Sequence, residues 1–167
     1  MRFTALLPVI ILLASLPLAA AEGLAGRYTL LPERSDAIPQ AIERVVADMN
    51  FIKRPFARSR LTKTNAAYRT LRLDLGAALF RIQFEGRQPI ETPADGRAVG
   101  WTREDGERFQ VSTRMEGGNL VQRFVAEDGS RRNTYHLDPD GTLRLQAEIS
   151  SSKLPRPLTY TLVYRRD

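Results

Sequence analysis

Five turn signals divide the second half of this chain at nearly equal intervals. Asp95-Gly96, Asp105-Gly106, Gly117-Gly118, Asp128-Gly129 and Asp140-Gly141 fall 10, 12, 11 and 12 residues apart. Each pair can supply the positive backbone angles of a tight hairpin turn. Consecutive hairpins at this spacing make an antiparallel meander. The stretches between the turns support that reading, because their side chains alternate. Leu71, Leu73 and Leu75 alternate with Arg72 and Asp74, and Phe80, Ile82 and Phe84 with Arg81, Gln83 and Glu85. A period of two gives a strand one apolar face. Strands are expected at 24–31, 67–75, 79–86, 97–103, 107–115, 119–127, 131–137, 142–150 and 158–166. A short tenth is expected near Ile90, and Ser150 to Pro157 is read as a loop.

The period changes once, after the first strand. Ile38, Ala41, Ile42, Val45, Val46, Met49 and Ile52 recur at steps of three and four, which puts them on one side of a helix. Ser35 and Asp36 are placed to cap it, and Pro39 suits its first turn. A second helical piece is expected after Pro55, through Phe56 and Leu61, with Asn65 ending it. The expectation is a mainly β, single-domain antiparallel meander barrel of about nine or ten strands. A one- or two-helix insertion separates its first and second strands.

Residues 3 to 21 carry no charge, follow Arg2 and end in Ala19-Ala20-Ala21. A basic start, an apolar core and a small-residue end read as a secretory signal peptide, 1–21, cut after Ala21. The domain is then 22–167, expected in the periplasm or outside the cell. The rival reading of the same segment is a retained membrane anchor.

Composition removes several function classes. The chain has no cysteine and one histidine, so thiol chemistry and Cys-ligated metal are excluded. No cofactor or metal is expected. His136 is in phase with Arg132 and Thr134, which suggests a solvent-facing strand position. No G-x-S-x-G elbow marks a nucleophile for it. The glutamates Glu85, Glu107, Glu116, Glu127 and Glu148 show no spacing that selects a catalytic pair. Asp138-Pro139-Asp140-Gly141 fails the EF-hand register and reads as a hairpin turn.

The net charge is +6, with 22 arginines against three lysines. From Met49 to Leu73 there are seven basic residues (Lys53, Arg54, Arg58, Arg60, Lys63, Arg69, Arg72) and no acid. Such a run attracts anionic partners, including an acidic membrane surface met by Lys53, Arg54, Arg58, Arg60 and Lys63. The alternative is a solvated polar face. Nucleic acid is not expected, because no binding motif accompanies the run. A monomer is expected.

Nine or ten meandering strands leave two exposed edges unless the sheet closes. A closed barrel of that size can hold one small ligand, and the amphipathic helix would cover its open end. One strand, a helix pair and a long meander together resemble the fatty-acid-binding branch of the calycin superfamily. Leu24-Ala25-Gly26-Arg27-Tyr28 is similar to the G-x-W opening of lipocalins, with Tyr28 in place of tryptophan. The resemblance implies that Arg165 or Arg166 packs over Tyr28. It also implies an arginine and a tyrosine two apart on the last strand to hold a ligand carboxylate. The matching positions are Leu162 and Tyr164, so the arginine is missing. Arg123, Arg114 or Arg144 would have to replace it.

The expected function is a non-catalytic binding protein for a small lipophilic ligand, neutral or anionic, held in the barrel. Ile42, Val45 and Met49 would line it from the helix. Phe80, Ile82, Phe84, Trp101, Phe109, Phe124, Tyr160 and Tyr164 would line it from the strands, with Arg123 as the cation. Tyr135 belongs to the same aromatic set. The other reading of all of these is a filled barrel core. Two alternatives stand beside this reading. One is a filled barrel acting as a protein- or envelope-interaction module. The other is a hydrolase-type enzyme using carboxylates or His136.

Overall fold

The computed structural model describes residues 21–167. The expected leader, residues 1–21, lies outside the described residues except for Ala21. The strands are β1 Gly26–Leu30, β2 Thr70–Leu75, β3 Leu79–Phe84, β4 Ile90–Pro93, β5 Val99–Thr102, β6 Arg108–Glu116, β7 Asn119–Val125, β8 Gly129–Leu137, β9 Leu143–Ser151 and β10 Leu158–Arg166. Two helices, α1 Ile38–Val46 and α2 Arg54–Thr64, lie between β1 and β2. This is the expected order, with the tenth strand at Ile90.

All ten strands form one sheet in the order β4-β3-β2-β1-β10-β9-β8-β7-β6-β5. The first and last strands pair antiparallel, Tyr28 opposite Arg166 and Leu30 opposite Tyr164. That ladder curls the meander into a barrel. Closure stops short at the other end of the order, since β4 and β5 share no ladder. The two are the shortest strands, four residues each, which limits the exposed edge. Side chains span the gap instead: Ile90 of β4 packs with Val111 of β6 and Phe124 of β7.

The gap corrects one turn assignment. Asp95-Gly96 connects strands that do not pair, so it is a turn but not a hairpin. Gly96 still needs its positive φ of 82°. Asp128-Gly129 is corrected differently. Gly129 is not in the left-handed region. A Cβ there would lie 2.5 Å from the Ser150 carbonyl oxygen of β9. Glycine is needed at this position for close backbone approach. Gly117 and Gly118, with φ of 55° and 82°, form the expected hairpin between β6 and β7.

α1 buries Ile38, Ala41, Ile42, Val45 and Val46 and ends there. It is shorter than the apolar period suggests. Met49 is only partly buried and Ile52 is 62% exposed. Ser35 and Asp36 do not cap α1, whose N-cap is Ala37 with no side-chain bond. They serve β10. The Val163 amide donates to Ser35 Oγ at 2.9 Å, and the Thr161 amide to Asp36 Oδ2 at 2.7 Å. β1 ends at Leu30, so the next residues satisfy the amides of β10 that it leaves unpaired. Pro55 opens α2. Asn65 ends it, its Nδ2 donating to the Leu61 carbonyl at 2.9 Å.

The core joins α1 to one wall and the lower barrel. Tyr28, Leu71, Leu73, Ile82, Leu120, Tyr135, Leu143, Leu145 and Tyr164 are all within 1% of full burial. Of the two expected arginines, Arg166 packs over Tyr28, its guanidinium carbon 5.4 Å from the ring centroid. It also donates to the Tyr28 hydroxyl at 2.8 Å, and that hydroxyl donates to the Leu24 carbonyl at 2.7 Å.

Candidate functional site

Strand alternation decides which side chains can meet inside the barrel. On β8, Arg131, Asn133 and Tyr135 point inward, while Arg132 and His136 point out. His136 therefore faces solvent as expected, its Nδ1 2.7 Å from Asn119 Oδ1. On β7, Gln122 and Phe124 point inward, so Arg123 between them points out. Arg123 lies beside Glu116 at 2.5 Å and lines no cavity. Arg114 shares Glu116 at 2.6 Å, and Arg144 pairs with Asp138 at 2.9 Å. All three expected cations are thus corrected to the outer surface. The two guanidiniums hold Glu116 down at about 2.

A cavity of about 750 Å³ lies between α2 and the barrel interior. Of the expected lining residues it receives Met49, Phe84, Trp101, Phe109 and Phe124. Ile42, Val45, Phe80, Ile82 and Tyr164 are packed in the core instead. Burial drives the Tyr164 and Tyr135 hydroxyl pKa values well above the ordinary phenol range. Three aromatic rings form one wall. Trp101 lies 5.7 Å from Phe109 and 5.8 Å from Phe124, and the two phenylalanines are 6.0 Å apart. Those separations suit tilted and edge-to-face packing.

Beside this wall, directly across the ladder from Phe124, stands the group that sequence reasoning missed. Arg131 lines the cavity and is partly buried. Its Nη1 donates to Asn65 Oδ1 at 3.0 Å, its Nη2 to the Tyr160 hydroxyl at 2.9 Å and its Nε to Asn133 Oδ1 at 2.8 Å. The Tyr160 hydroxyl in turn donates to Asn65 Oδ1 at 3.0 Å. Tyr160 is itself packed in the core and does not line the cavity, which it meets only through Arg131. Every partner is neutral, and no carboxylate pairs with Arg131 among the described residues. A charge held partly out of water with no counter-ion is costly unless an anion meets it. The signal was present in the sequence. The alternation that sends Arg132 and His136 outward sends Arg131 inward.

The acid-free basic run is neutralised in space. Arg58 pairs with Glu43 at 2.5 Å, Arg60 with Glu107 at 3.0 Å, Arg69 with Glu85 at 2.9 Å and Arg72 with Asp74 at 2.9 Å. Arg54 donates to the Ala47 and Met49 carbonyls. Lys53 and Lys63 keep no carboxylate partner among the described residues. Sequence distance hid these pairs, since three of the four acids lie on other elements. Beside them stand three large apolar side chains in solvent: Phe51, Ile52 and Phe56, 77%, 62% and 75% exposed. Lys53 and Phe56 also line the cavity mouth.

No family model matches the chain, and no curated protein matches it. Solved structures do. One is a REP1-NXSQ fatty acid transporter, 15% identical, TM-score 0.59, over 87% of this chain and 97% of that one. Another is the apo lipid binding protein 8 of Caenorhabditis elegans, 12% identical, TM-score 0.58, over 87% and 96%. A third is a secretary abundant heat soluble protein of Ramazzottius varieornatus, 9% identical, TM-score 0.61, over 87% and 96%. The fold is that of a calycin-like barrel. At these identities the likeness establishes this architecture, and the site must be argued from its own residues.

Proposed function

We propose that this chain is a non-catalytic binding protein for a small lipophilic anion, working in the periplasm or outside the cell. One observation carries the reading: Arg131 stands in an aromatic-lined cavity with neutral partners only. A carboxylate on an apolar body would complete it, with Arg131 holding the charged end and Asn65 and the Tyr160 hydroxyl holding Arg131. Met49, Phe84, Trp101, Phe109 and Phe124 would hold the body. This is the usual composition of a ligand site, mostly apolar with a few placed polar groups. The named fatty-acid and lipid binders of the same fold support it. The leader-like residues 1–21 support secretion.

The test is a titration of delipidated protein with a fluorescent amphipathic anion, followed by displacement with fatty acids. One saturable site is expected. No saturable uptake of any of them overturns the reading.

The exposed Phe51, Ile52 and Phe56 beside Lys53, Arg54 and Lys63 support a second part of the reading. Apolar side chains flanked by cations suit an anionic membrane surface. Docking there would bring the cavity mouth against the lipid. The protein acts on this reading as a monomer, with no nucleic-acid partner.

A further inference from the structure

Only the strand ends nearest α2 contribute most of the cavity wall. Phe84 closes β3, Trp101 lies near the end of β5 and Phe109 near the start of β6. Phe124, Arg131 and Ile149 continue the same level, each opposite the next or opposite Val111 in the ladders. Leu145 and Leu162 supply the floor. Below that floor the barrel is full. Leu75, Phe80, Leu120, Tyr135 and Leu143 come from the far ends and middles of the strands. All are buried in the core and none lines the cavity. The void is therefore a chamber at the α2 end of the barrel, not a channel along its axis.

Such a shape discriminates between ligands. A long saturated chain would have to fold back on itself, and each ordered bond loses rotamer freedom on binding. A compact, rigid body loses little. The wall it would meet is made of rings. Trp101 and Phe109 remain partly exposed, so each still has surface to offer a third aromatic or unsaturated partner. The cation adjoins that wall directly, because Phe124 and Arg131 are cross-strand neighbours.

We propose that the ligand is a compact, ring-bearing organic carboxylate. Its rings lie against Trp101, Phe109 and Phe124 while its carboxylate meets Arg131. The proposal rests on the binding reading above and names its ligand class. Each well-oriented ring pair adds about two- to twelve-fold in affinity beyond area burial. A ring carboxylate contacting this wall gains at least about tenfold from such pairs and from its rigidity.

The test uses the full chain and three probes: 2-naphthoate, the tricyclic carboxylate abietate, and hexadecanoate. Calorimetry gives the affinities. Quenching of Trp101, the single tryptophan, reports whether the wall is reached. At least one ring carboxylate is expected to bind at least about tenfold more tightly than hexadecanoate and to quench Trp101. Phe109→Leu is expected to narrow that ratio to about threefold or less. Its circular dichroism and melting curve check the fold, and the wild-type ratio stands without it. Hexadecanoate binding as tightly as both ring probes overturns the ligand class and leaves the binding reading intact. If none of the three binds, both fall.

Discussion

Replacing Arg131 by methionine separates affinity from stability in a way the geometry specifies. Methionine keeps an unbranched apolar stem but loses the charge and all donors. In the complex the guanidinium would meet a carboxylate, and a hydrogen bond to a charged group contributes about 1.5–3 kcal/mol. Arg131→Met should therefore weaken an anionic ligand by about 10- to 150-fold. The neutral methyl ester of that ligand should lose little. Stability should move much less. Asn65 Oδ1 keeps its bond from the Tyr160 hydroxyl, and Asn133 keeps its amide bond to Gln122 Oε1. Removing a partly buried, unpaired charge offsets the lost contacts. The melting midpoint should shift by no more than roughly 4 °C for a domain of this size. Competition titrations of acid and ester on both proteins, with melting curves, measure each quantity. Equal affinity of the two proteins for the acid would refute the reasoning. So would an equal loss for acid and ester.

Three further outcomes follow from particular contacts. Gly129→Ala should lower the melting midpoint, because its Cβ would meet the Ser150 carbonyl at 2.5 Å. Overpacking of this kind costs about 1–3 kcal/mol, and an unchanged midpoint contradicts it. Glu116 is held at about 2 by Arg123 and Arg114. The stability it lends is whole above its unfolded value near 4.5 and vanishes as pH falls through 2. Glu116→Gln should thus cost roughly 0.2–1 kcal/mol at pH 7 and nothing near pH 1.5, as read from urea midpoints at both values. Phe51→Ser with Phe56→Ser should reduce binding to phosphatidylserine vesicles at least about tenfold in a flotation assay, since two exposed rings are removed. Undiminished flotation removes those rings from the surface reading.

Alternation made the strands legible, because period two is a local property of the chain. It located β2, β3 and the long strands β6 to β10 within a few residues. It could not show that Ile90's strand and Val99's strand stay apart. That depends on how the barrel curves, and on Ile90 packing across to Val111 and Phe124. The helix was overrun for a related reason. Met49 and Ile52 continue the apolar spacing, but the chain turns at Asn50, whose side chain accepts the Ile52 amide at 2.9 Å. Turn glycines were read by one mechanism where two operate: a positive φ at Gly117 and Gly118, close approach at Gly129.

The site was legible in its apolar half. Phe84, Trp101, Phe109 and Phe124 follow from period two once the core side is known. The charged half was sought at Arg123, Arg114 or Arg144, as substitutes for the arginine of an arginine–tyrosine pair that the last strand lacks. Here the candidate cation, Arg131, is on β8, bonded directly to Tyr160 of β10 and sharing Asn65 with it. The same phase argument, applied to Arg131, would have found it. The pairing of Arg58, Arg60 and Arg69 with distant acids had no such local signal.

In the proposed complex an anion meets Arg131 inside the chamber. Nitrogen-15 NMR of arginine Nε–H groups during titration with a lipophilic carboxylate tests it most directly. A saturable, one-to-one shift is expected at Arg131, with Arg123 and Arg144 unmoved on the outer wall. Shifts confined to Arg60 and Arg103, the two other arginines that line the cavity, with Arg131 silent, would contradict it.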